Sequence, residues 1–428
     1  MSGDPKASGP GSGPRGEKLP RSLGLLDAVG IGFGAIVGAG IFVVTGVAAG
    51  IAGPAMVLGL ALAAIPATAN ALSSAELAAA YPESGGTYEY GYRLLTPAAG
   101  FAAGWMFLAS KIAAAGTVAL GLAGYLEWIL PGLPPRVVAF GFVVLLTALN
   151  LFGVKRTSRI NLLIVSMSVG ALLLFSFAGA FSFDSARLRP FLPESPAAVL
   201  QSAAILFFAY TGYARIATLG EEVREPKTTI PRAIVITLAG AVVLYGAVAL
   251  VAVGSVGAPA LADSAAPLQV AAEAAGGRVL AGVVSVGGIA AMLGVTLSQI
   301  LSLSRMSFAM ARRGDLPRTL EHVHPRRGIP DRAVILVGVI AAALVAAGTL
   351  QGLAAAASFC ILVYYGIANV AALRLPSDFR LYPQVVPIVG LVICGILALS
   401  LPVRTMATGA LILAVGFGFR EVVRRIAK

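Results

Sequence analysis

Between residues 24 and 423 the chain repeats one pattern: an apolar run long enough to cross a lipid bilayer, then a short loop that carries most of the charge. A spanning helix needs about 20 mostly apolar residues. Twelve runs qualify, at 24–50, 54–80, 97–126, 135–153, 160–183, 197–220, 232–256, 278–308, 332–350, 352–373, 384–402 and 404–423. A water-soluble fold is excluded, because only 12% of the 428 residues are charged and 58% are hydrophobic, whereas a globular protein has roughly 25% charged. Glycine and proline are spread through the apolar runs, which a membrane bundle tolerates when neighbouring helices satisfy the freed backbone groups. The expected fold class is therefore an all-α integral membrane protein with twelve transmembrane helices. Residues 1–20, rich in Gly, Pro and Ser, bury too little to fold alone and read as a disordered tail.

Loop charges give an independent handle on topology. An even number of spans puts both termini on one face, and that face collects 24 of the 31 lysines and arginines. The other face holds five, Arg136, Arg187, Arg189, Arg278 and Arg404, while Lys111 and Arg215 fall inside spans. Lys and Arg accumulate on the cytoplasmic side, so both termini are expected there. The net charge of +12 is dispersed over short loops and forms no nucleic-acid-binding patch. Cys360 and Cys394 lie in separate apolar runs with no Cys or His at ligand spacing, so neither a disulfide nor a metal site is indicated. No GxxxxGK[ST] phosphate loop, HExxH or intramembrane His occurs, and no cofactor or enzymatic activity is expected.

Two runs carry interruptions. GIGFGAIVGAGIF, Gly30 to Phe42, has glycines at 30, 32, 34, 38 and 40, each costing about 1 kcal/mol relative to Ala in a helix interior. The first three suit close packing through Gly30-xxx-Gly34 and Gly34-xxx-Gly38. Gly38, Ala39 and Gly40 suit a break whose free N–H groups, at the start of a second half-helix, bind an anion such as a carboxylate. In the sixth run, FFAYTGYARIATLGEE (Phe207 to Glu222), Thr211 and Gly212 interrupt an aromatic stretch in mid-span. Paired interruptions at corresponding places in two halves point to a transporter site, and halves of five spans each must be inverted relative to one another.

GAIVGAGIF, ALSSAELAAAYPESGGTYEYGYRLL (Ala71 to Leu95) and FFAYTGYARIATLGEEVREPKTTIPRAI (Phe207 to Ile234) together resemble the amino acid-polyamine-organocation superfamily, closest to its bacterial cationic-amino-acid-transporter-like branch. The resemblance implies a LeuT-type fold: helices 1–5 in residues 21–183, an inverted repeat of helices 6–10 in 197–373, and two further helices in 384–428, all in the bacterial inner membrane. It also implies alternating access to an amino acid substrate, whose carboxylate would meet the N–H groups of Gly38, Ala39 and Gly40. Its ammonium would meet carbonyls around Ile36, Phe208, Ala209 and Thr211, with Phe208 as a lid. Burying a zwitterion costs several kcal/mol per charge unless both ends are matched, and two broken helices match both without an ionised side chain.

Many relatives carry a lysine in span five where this chain has Ser168, and sodium-coupled members have hydroxyls in span eight where it has Leu293 and Gly294. Lys111, about fifteen residues into span three, is then either a proton carrier, a fixed cation in place of an ion, or a structural lysine. Glu76 and Arg215 are expected at similar depth and are expected to pair, as a clamp or a gate. Asp27 is expected to cap the first span, and Trp105, Trp128, Tyr125 and Tyr382 to anchor at membrane interfaces. The absence of an acidic residue near the site favours neutral amino acids, with cationic amino acids or polyamines as the alternative. A channel would need a continuous polar lining, which one Lys, one Arg and one Glu do not supply.

Overall fold

The computed structural model describes residues 23–38, 40–81, 85–152, 158–193, 195–213, 216, 223–325 and 327–426. The 1–20 tail, Ala39 and Arg215 lie outside them. Among the described residues the fold is helical, and the one extended pairing is an isolated parallel bridge between Leu23 and Val223.

The first apolar run forms α1 (Leu25–Ile36), a π-helical turn (Gly40–Val44) and α2 (Thr45–Ala52). The second forms α3 (Met56–Ala80), and a short α4 (Thr87–Leu94) leads into α5 (Pro97–Ile129). Next come α6 (Pro135–Leu151), α7 (Ser158–Gly179) and α8 (Pro196–Leu206), the last running on as a 3-10 segment, Phe207–Tyr213. The chain continues as α9 (Pro226–Val256), a short α10 (Ala258–Ala262) and α11 (Pro267–Arg312), which is kinked at Gly276 and Gly277. Four helices close the fold: α12 (Asp331–Ala347), α13 (Leu350–Leu373), α14 (Val385–Ser400) and α15 (Val403–Ile426).

Seven helical stretches are long and apolar enough to cross a bilayer, and α6 and α14 are shorter apolar helices. The broken first run and the second make one stretch, and the 3-10 transition cuts the sixth run short, so helix length alone counts fewer spans than hydropathy. Large apolar side chains face outward on the peripheral helices, including Val137, Leu162, Leu163, Phe177, Val339, Leu399 and Leu411. Hydrocarbon is the solvent that such a surface fits.

Inside this wall, α5 packs along α11 and α13, and α3 along α8 and α9. The π turn and the 3-10 segment touch each other at the centre. Thr96 caps α5 by accepting from the Ala99 N–H at 3.1 Å, and Asp27 Oδ2 accepts from the Gly24 N–H at 2.9 Å, the expected cap of α1. One glycine expectation is corrected. A Cβ at Gly30 would meet nothing within 4 Å, so that residue makes no close packing. Gly32 packs closely as expected: a Cβ there would lie 2.7 Å from Thr237 Oγ1 and 2.5 Å from Ile216 Cδ1.

Candidate functional site

The two interruptions read from the sequence are present and face one another. α1 stops at Ile36, and Val37 turns to extended backbone at φ −71°, ψ 108°. Helical bonding then resumes with a Phe42 N–H to Gly38 carbonyl bond of 3.4 Å. A helix that stops and restarts leaves carbonyls open at its first end and N–H groups open at its second. In the sixth run the α-helix gives way at Phe207 to seven residues of 3-10 winding. Such runs seldom exceed three or four residues, and inside a helix they mark a hinge.

Glycines bring the two breaks into contact. A Cβ on Gly40 would overlap the Cα of Ala209, and one on Gly212 would overlap the Ala35 carbonyl. Gly38 faces α11, where a Cβ would meet Val295 Cγ2 at 2.7 Å. The expected substrate-binding residues Ile36, Gly38, Gly40, Phe208, Ala209 and Thr211 are therefore gathered into one buried place.

Phenols hold both sides of the first break, a feature that the sequence reading missed. Tyr245 of α9 donates to the Ile36 carbonyl at 2.9 Å, and Tyr125 of α5 donates to the Phe42 carbonyl at 2.6 Å. Tyr125 is fully buried, which corrects its assignment as an interface anchor: its polar end meets a helix break rather than lipid headgroups. Trp105 is likewise an interhelix staple, its indole N–H donating to the Ile412 carbonyl of α15 at 2.8 Å. Tyr210, whose ring lies 5.6 Å from that of Tyr245, reaches the Leu60 carbonyl of α3 at 3.3 Å. In the 3-10 segment Thr211 Oγ1 donates to the Phe208 carbonyl at 3.0 Å, taking up one lone pair of a carbonyl expected to serve the ammonium.

Ser168 is buried where α7 meets α11, its hydroxyl proton shared between the Ile164 carbonyl of its own helix at 2.7 Å and the Gly287 carbonyl of α11 at 3.0 Å. A hydroxyl there supplies a short interhelix bond and no charge. Lys111 Nζ lies 6.0 Å from the centre of the Phe107 ring. From Phe107 a file of rings runs through Tyr364 at 5.3 Å and Tyr365 at a further 5.0 Å to Tyr213 at 5.4 Å, the last residue of the 3-10 segment. Beside it, Asn369 Nδ2 donates to Asn70 Oδ1 at 2.6 Å and Asn70 Nδ2 to Cys394 Sγ at 3.2 Å. This buried polar seam joins α3, α13 and α14. Glu76 is buried, and its Oε1 accepts from the Leu381 N–H at 2.8 Å, so it secures the connector between α13 and α14. Its expected partner Arg215 lies outside the described residues.

A second polar centre lies away from the breaks. Asp315, wholly buried just after α11, accepts from Tyr88 at 2.9 Å, from Tyr92, from Arg420 Nε at 2.8 Å and from Arg424 at 3.1 Å. Arg420 also donates to the Pro97 carbonyl at 3.0 Å, and Arg313 pairs with Glu89 at 2.6 Å. One carboxylate thus joins α4, α11 and α15. In sequence it is one acidic residue in an arginine-rich loop, and nothing local marks it as buried.

Comparison with known proteins adds independent findings. The sequence pattern described as amino acid permease matches residues 23–415. An uncharacterised transporter of Mycobacterium tuberculosis is 44% identical, covering 96% of this chain and 94% of the relative. A methylthioribose transporter of Bacillus subtilis is 32% identical, with 94% and 93% covered. A branched-chain amino acid permease of the same organism is 31% identical, with 90% and 89% covered.

Proposed function

The chain belongs to the amino acid permease family of membrane transporters, and on that premise we propose that it carries amino acids by alternating access, coupled to protons or by exchange. Neutral amino acids are the favoured substrates, with cationic amino acids or polyamines second. The reading takes the helices as twelve spans in a five-plus-five inverted repeat with two added helices, both termini being cytoplasmic in the bacterial inner membrane. The observation that carries it is the contact between the two breaks, Gly40 on Ala209 and Gly212 on Ala35. Two interrupted helices meet there, and such interruptions can offer carbonyls to one end and N–H groups to the other end of a zwitterion that leaves water. The relatives' names span a branched-chain amino acid and a sugar thioether, so the residues that meet the rest of the solute, rather than the family, set the substrate.

A thermal-shift screen of the twenty amino acids, common polyamines and methylthioribose, at two pH values with and without sodium, tests this. A ligand at about 100 times its Kd stabilises by about 2.7 kcal/mol, and a neutral amino acid is expected to give the largest shift. If methylthioribose alone stabilises, the amino acid reading fails.

For coupling, we propose Lys111 as the proton carrier, supported by the file of rings that connects its position to Tyr213. Lys111→Met is expected to bind substrate normally and to transport at a rate that no longer varies with pH. A pH profile of uptake that matches the parent's would eliminate the carrier role.

A further inference from the structure

At the end of α5 remote from Asp315, a pocket of about 210 Å³ opens between the last turn of that helix and the start of α11. Gly124 sets its floor: a Cβ there would press on Ala265 at 2.6 Å, so only glycine lets the 264–266 loop lie against the helix. Glu127 and Trp128 form one wall and Gln269 the other. Two features point to an occupant. Among the described residues no ion pair or hydrogen bond engages the Glu127 carboxylate, although it shares a small cavity with an indole. Gln269 is 5% exposed, yet its side-chain amide has no hydrogen-bond partner among the described residues while lining the same space. Its polar end is therefore presented to the pocket and available to whatever enters it.

We propose that this pocket is a second solute site that takes the ammonium group of a small amine or amino acid. Glu127 supplies the charge, the Gln269 carbonyl oxygen an acceptor and Trp128 an aromatic surface that cations favour. The volume suits one small solute. The pocket also touches the transport machinery. Gly124 of its lining is followed in α5 by Tyr125, whose hydroxyl donates to the Phe42 carbonyl beyond the first helix break. An occupant of the pocket thus lies against the same turn of α5 that carries Tyr125. Its role as a loading site for transport rests on the function proposed above; its binding of amines does not.

The chain has two tryptophans, so a Trp105→Phe protein reports on Trp128 alone. Titrating it with n-butylamine, L-leucine and butyrate is expected to shift Trp128 emission saturably with the first two and not with butyrate. Glu127→Gln, at an exposed position, is expected to weaken both responses about tenfold, and Gln269→Leu to weaken them less. In the Gly40→Ala protein, whose central site is disturbed, the signal is expected to remain. If Trp105→Phe does not fold, the same signal is read as the part of the parent's response that Trp128→Phe removes. Butyrate matching butylamine, Glu127→Gln titrating like the parent, or loss of the signal in Gly40→Ala would each overturn the proposal. A Trp128 response without any uptake would defeat only the transport reading; uptake without the response defeats only this site.

Discussion

Gly40→Ala is expected to reduce uptake at least about a hundredfold while Gly30→Ala leaves it unchanged. Both add one methyl group to the same broken helix, so helix propensity, which would favour both by about 1 kcal/mol, does not separate them. Surroundings do. The added carbon at position 30 meets nothing, and at position 40 it overlaps the Cα of Ala209. Main chain cannot swing aside as a flexible side chain can, so the two breaks must separate, and overpacking of this kind costs about 1–3 kcal/mol. A shift of about 1 Å in groups that must meet both ends of a solute is enough for losses of this order. Gly212→Ala, directed at the Ala35 carbonyl, is expected to behave like Gly40→Ala. Uptake into vesicles, normalised to folded protein by size-exclusion chromatography, decides the matter; equal uptake by the position 30 and position 40 variants would show that contact between the breaks is unimportant.

Asp315→Asn is expected to be the most destabilising single change, at about 3 kcal/mol. The carboxylate is wholly buried and bonded by two guanidinium groups and two phenols. Removing one partner of a buried pair leaves the other charge uncompensated, which typically costs about 3–5 kcal/mol. The lower figure applies because Arg424 is partly exposed, with 42% of its side chain accessible, and can turn to water. A lowered thermal midpoint should come with release of the last helix, seen as faster proteolysis near Arg420 and Arg424. A midpoint within one degree or so of the parent's would mean that α15 is held by its apolar contacts alone.

The breaks were legible in the sequence because their cause is local. Glycine density at 38–40 and an aromatic run ending in Thr211 and Gly212 weaken a helix wherever they occur. Gly30 was misjudged for the complementary reason, since spacing along one helix does not tell which neighbour it faces. The phenols were not legible: Tyr245 and Tyr125 act on carbonyls 209 and 83 residues away, and an aromatic near the end of an apolar run reads equally well as an anchor. Asp315 was hidden by its company, because an arginine-rich loop looks solvated until the fold returns α15 and α4 to it. Hydropathy located the helices; which polar ends meet inside the bundle depends on contacts that hydropathy does not carry.

The winding of Phe207–Tyr213 has a mechanical corollary. A 3-10 helix rises about 2.0 Å per residue and an α-helix 1.5 Å, so over these seven residues the tighter coil is longer by about 3.5 Å. Rewinding the segment as an α-helix would shorten it by that distance and rotate one end relative to the other about the axis. Such a transition would act as a short piston whose stroke is set by backbone geometry.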